Sequence, residues 1–149
     1  IKVMDYDYKQ TVRDVKAYNS EAKKQGAKIF EIDFDRQYVI AQGFWQRVDV
    51  DVFKTIKAKE NKFDFFQSKI KEFIDRGIPI CWTLNLGMFP EKGAGQMGGG
   101  HMRLIHGYNQ SSQEIFYTDS WGFGHEIKKM PAIEAWCMTM GMYAMVPTN

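Results

Sequence analysis

Apolar residues recur at three- and four-residue spacing over residues 8–25, where Val12, Val15, Tyr18 and Ala22 are separated by Lys, Arg and Glu. That period predicts an amphipathic helix, and Gly26 stands where a left-handed C-terminal cap is wanted. Residues 28–34 read as a short strand with Ile32 and Phe34 on one face. Asp49 and Asp51 are placed to open a helix running to Lys59, with their carboxylates near the positive end of its dipole. A stronger helical stripe of Phe66, Ile70, Phe73 and Ile74 covers residues 63–76, with Gly77 as its cap. Pro79 stops that helix, and residues 78–86 have the apolar run of a buried strand.

Residues 87–100 form a glycine-rich loop. Residues 101–108 and 114–118 alternate as two strands joined by the turn-forming Asn109-Gln110-Ser111-Ser112. Residues 131–138 read as a short helix with proline in its first turn, and residues 142–146 as a closing strand. Helices come mainly first and strands mainly last, which predicts an α+β fold and not an alternating α/β sheet. With 149 residues the chain is about one domain's worth.

Composition narrows the function classes. Hydrophobic residues make up 44% and charged residues 26%, which argues against disorder. Twenty Lys and Arg against eighteen Asp and Glu leave a net charge of +2, too little for an electrostatic nucleic-acid footprint. Two cysteines, Cys81 and Cys137, exclude a disulfide-rich scaffold. No apolar run approaches the ~20 residues of a membrane span. The chain begins Ile1-Lys2-Val3 without an initiator methionine, as a fragment or processed product does. That start leaves the compartment open, secreted and periplasmic placements included.

No cofactor is expected. The Gly-Ala-Gly-Gln-Met-Gly-Gly-Gly stretch lacks the Lys-Ser/Thr ending of a phosphate-binding loop, and a strand follows it. No metal site is expected either, because His101 and His106 lie five apart on one strand and point to opposite faces. His125-Glu126 lacks metalloprotease spacing. The nine methionines read as core filler or a sticky surface.

His101 and Asp119 make a better constellation. The histidine opens one strand and the aspartate ends the next, so an antiparallel pair with a tight turn brings them to the same end. A carboxylate there can accept a hydrogen bond from the imidazole and fix its tautomer. The plainer alternative is a surface histidine near a strand-end aspartate.

The stretch Gly100-His101-Met102-Arg103-Leu104-Ile105-His106-Gly107-Tyr108 resembles the segment of papain-like cysteine peptidases that carries the base histidine. Asp119-Ser120-Trp121-Gly122 is similar to the Asn-Ser-Trp-Gly element of that superfamily, with Asp in place of Asn. The Asp, together with Gly77-Ile78-Pro79-Ile80, resembles the bacterial branch of bacteriocin-leader-processing (double-glycine) peptidases. The likeness covers residues 63–147, and residues 1–62 match nothing nameable. It implies a papain-like fold with N-terminal helices packed on a C-terminal antiparallel sheet. It implies His101 as general base, Asp119 as its orienting partner, and Trp121 as the cover that keeps water from their bond. A plain core aromatic is the alternative for Trp121.

Such a peptidase needs a thiolate, usually held at a helix N-terminus. No cysteine precedes residue 81. Papain-like spacing from cysteine to histidine, ~130–150 residues, places the nucleophile roughly 30 or more residues before Ile1. Residues 1–149 are then the C-terminal part of a peptidase domain, partnered by a missing N-terminal segment and acting on a peptide or protein substrate. The Cys81-Trp82 pair is similar to the papain nucleophile but lies inside a strand, so Cys81 is the weaker candidate nucleophile. Cys137 reads as core. The competing expectation is a non-catalytic papain-like module that binds peptide or protein.

Overall fold

The computed structural model describes residues 1–5, 8–30, 44–45, 47–89, 91, 99–119, 124 and 126–148. Helix α1 (Tyr8–Gln25) follows a short strand β1 (Lys2–Asp5). Two further helices, α2 (Val50–Ala58) and α3 (Asn61–Asp75), lead into strands β2 (Ile80–Leu86), β3 (Gly99–Asn109), β4 (Glu114–Thr118) and β5 (Lys128–Pro131). Helix α4 (Ala132–Met138) and strand β6 (Thr139–Ala144) complete the order. The fold is α+β and papain-like, with helices on one face of a six-stranded sheet.

The sheet runs β1-β6-β2-β3-β4-β5, and every neighbouring pair is antiparallel. Strands β1 and β5 were not expected from the sequence. The closing strand lies at Thr139–Ala144 instead of 142–146, and Pro131 ends β5 just before α4 starts. In the segment expected as a strand at 28–34, residues 28–30 have no regular structure and residues 31–34 lie outside the described residues.

The helix ends follow local chemistry. Asp49 caps α2 by accepting from the backbone N–H groups of Asp51 and Val52. Gly77 has a φ of +76°, which places it in the left-handed region after α3. Its N–H bonds Ile74 O at 2.9 Å, and Ile78 N–H bonds Phe73 O at 2.9 Å. That paired closure satisfies two carbonyls of the last turn and turns the chain directly into β2.

The core lies between sheet and helices. Ile80, Trp82 and Leu84 alternate on the covered face of β2 and are fully buried, as are Phe66 and Ile105. Trp82 Nε1 donates to Thr139 Oγ1 at 2.9 Å, and Thr139 Oγ1 donates to Ala135 O at 2.6 Å. The same core continues between α1 and α2, where Tyr18, Phe44, Trp45 and Phe53 meet edge-on or tilted at 5.2–5.6 Å.

Charge is buried where α1 and α2 meet. Lys57 Nζ lies 3.0 Å from Asp14 and 3.2 Å from Glu60, and it sits 4.3 Å from the centre of the Trp136 ring. Gln10 Nε2 donates to the other Asp14 oxygen at 3.0 Å. Burial, a hydrogen bond with Asp14 and the Asp14 charge push the Glu60 carboxyl up to about 8, against the opposing charge of Lys57. No helix among the described residues is long and apolar enough to cross a membrane.

Candidate functional site

Strand parity places the site. Ile80, Trp82 and Leu84 of β2 lie directly opposite Ile105, Arg103 and His101 of β3, so all six side chains share the covered face. Residues directly opposite one another in a ladder share a face, and Leu104 pairs with Thr118 while Ile105 pairs with Tyr117. Continuing that register one step brings Asp119 beside Arg103, at the His101 end of β3.

His101 Nε2 lies 2.7 Å from Asp119 Oδ1. The Asp119 side chain is 0% exposed and that of His101 15% exposed. The other Asp119 oxygen accepts from Arg103 Nε at 2.6 Å. Arg103 reaches on to Glu91, with Nη1 at 2.9 Å from Oε1 and Nη2 at 3.1 Å from Oε2. Tyr117 closes the chain by donating its hydroxyl to Glu91 Oε1 at 2.7 Å. The guanidinium is stacked over the Tyr117 ring at 4.7 Å and faces the Trp82 ring at 5.8 Å.

These contacts set the charges. Burial alone would raise the Asp119 pKa, but the hydrogen bonds from His101 and Arg103 and the nearby positive charge hold it below the usual carboxylate value. Burial disfavours the Arg103 cation, yet its bonds to Glu91 and Asp119 outweigh that and raise its pKa. Burial, with the Glu91 hydrogen bond, also raises the pKa of the Tyr117 hydroxyl, which therefore remains a donor. With Asp119 ionised, Nε2 of His101 is the donor to it, and Nδ1 is the nitrogen left to accept a proton.

The other sequence candidates fall elsewhere. Cys81 pairs with Leu104 and Tyr143, so its side chain leaves the face of the sheet opposite to His101. Cys137 is buried in α4, and burial pushes its thiol up to about 12. Both cysteines are free thiols. His106 is exposed on the uncovered face. Trp121, His125 and most of the glycine loop lie outside the described residues. Among the described residues no group of three His, Cys, Asp or Glu side chains could hold a metal ion.

Arg103 and Glu91 were not anticipated as site residues. Arg103 had a readable signal, since it shares parity with His101 and Ile105 in a strand whose covered face is apolar. Glu91 had none, because it comes from a loop that only the folded chain brings to β3. Helix α1 also approaches this end of the sheet. Its Gln10 lines a small pocket with Thr139 and Met140, and Thr139 pairs with Leu84, the partner of His101. Residues 8–25 contain no cysteine. A cavity of about 320 Å³ beside Lys71, Tyr108 and Gln113 lies at the far end of β3.

A family model described as the Peptidase_C39 like family matches residues 4–141, so the likeness reaches well before residue 63. The chain matches no curated protein and no solved structure.

Proposed function

The chain belongs to the peptidase C39-like family, and from that premise we propose that it contributes the His101–Asp119 half of a Cys-His-Asp triad for peptide-bond hydrolysis. The observation that carries this reading is the 2.7 Å bond between a partly exposed imidazole and a wholly buried carboxylate. Asp119 holds Nε2 as donor, which leaves Nδ1 to take the proton of a thiol. The thiolate attacks the peptide carbonyl and forms a C–S bond. The imidazolium then protonates the leaving amine as the C–N bond breaks, and water releases the acid from the thioester. The thiol comes from a segment outside residues 1–149, and these residues form the C-terminal part of the peptidase domain.

A second reading is a non-catalytic papain-like module that binds peptide. It is favoured by helix α1, which opens near the His101 end of the sheet and carries no cysteine. One experiment separates the two. The complete polypeptide is treated with a thiol-alkylating peptide electrophile, and the modified residue is mapped by mass spectrometry. The peptidase reading expects labelling at a cysteine other than Cys81 and Cys137, lost in His101→Ala. Absent labelling, or labelling indifferent to His101, overturns it, and retained binding of the same peptide then supports the module.

A further inference from the structure

We propose that Arg103, anchored by Glu91, is a positioning residue that fixes the Asp119 carboxylate and, through it, the tautomer and orientation of the His101 ring. The role deepens the peptidase reading and rests on it for its purpose, but its test needs no catalysis.

A carboxylate held at one oxygen can still turn about its Cβ–Cγ bond. Asp119 is held at both, by His101 on Oδ1 and by Arg103 on Oδ2. The Arg103 guanidinium does this from β3 while also engaging Glu91. Its Nε faces Asp119, and its two terminal nitrogens meet the two Glu91 oxygens at 2.9 and 3.1 Å. The Tyr117 ring packs on the fork at 4.7 Å, and the Tyr117 hydroxyl holds Glu91, so neither partner is free to swing.

Stability does not account for the arrangement. Replacing a buried set of ionic groups with packed apolar residues is often neutral or stabilising. An apolar residue at position 103 would match Ile105 and the covered face of β2. What an apolar residue cannot do is bond the second oxygen of Asp119.

The test is nitrogen-15 NMR of the His101 ring and carbon-13 NMR of the Asp119 carboxyl, recorded on the chain with the imidazole neutral. The wild type is expected to show a single Nε2–H tautomer. Arg103→Met combined with Glu91→Gln removes one charge of each sign, and this folded double variant is expected to show a mixture of tautomers. Its Asp119 carboxyl is also expected to titrate at higher pH. Glu91→Gln alone keeps the guanidinium, and partial appearance of the second tautomer is expected. A single unchanged tautomer in either variant, with Asp119 titrating as before, overturns the inference. A tautomer lock that depends on Arg103, together with absent thiol labelling in the complete polypeptide, supports this inference while overturning the peptidase reading.

Discussion

Cys81 and His101 stand on adjacent strands yet leave opposite faces of the sheet, because Leu84 and not Cys81 is the direct partner of His101. A thiol on the wrong face of a β-sheet cannot meet an imidazole without a change of strand register. Cys81→Ser is therefore expected to leave His101-dependent labelling of the complete polypeptide at the wild-type rate. Labelling rates of the two proteins, measured side by side, check this. A loss of labelling in the serine variant would return Cys81 to the site.

Asp119→Ala separates two roles. In the complete polypeptide it is expected to lower thiol labelling by roughly 10²–10⁴-fold, the scale set by losing the orienting carboxylate of a triad. It also takes from buried Arg103 one of its two carboxylate partners among the described residues. The loss of a buried ionic partner is expected to cost on the order of 3–5 kcal/mol in urea denaturation. A variant with normal stability and normal labelling would deny both roles.

Thr139 supports β2, the strand beside the one that carries His101. Its hydroxyl accepts from Trp82 and donates to Ala135 O. Thr139→Val keeps the shape and strands the buried indole N–H. The expected loss is about 1–3 kcal/mol, read as a lower urea midpoint with an unchanged slope.

Glu60 gives the fold a pH dependence of its own. Its carboxyl is raised in the folded chain to about 8, above the ordinary value of 4.5. Between those values the folded state holds more protons than the unfolded one, so stability falls as pH rises through that window. Glu60→Gln is expected to flatten the slope. Urea midpoints between pH 4 and 9 for both proteins check this, and parallel curves would refute it.

Much of this was legible in the sequence, and the reasons differ by element. Helices α1 and α3 were readable from their stripes and from Gly26 and Gly77, because helix period and cap chemistry are local. The His101–Asp119 pair was readable because a tight turn fixes which ends of two strands meet. Strand β1 was not, since four residues of Lys-Val-Met-Asp carry too little alternation, and pairing with β6 is decided across the whole chain. Strand β5 was not legible either, since the four residues Lys-Lys-Met-Pro carry no alternation. Glu91 was illegible for the same long-range reason, whereas Arg103 shares the parity of His101 and Ile105 and was readable as a cation on the covered face.

The two oxygens of Asp119 grip residues 101 and 103, one full side-chain repeat of β3. They work as a gauge of strand alignment. A slip of one residue between β3 and β4 would turn both partners to the other side and leave the carboxylate with neither. A chain paired out of step would thus lack its base from the moment it folded, and correct pairing and an armed imidazole arrive as one event.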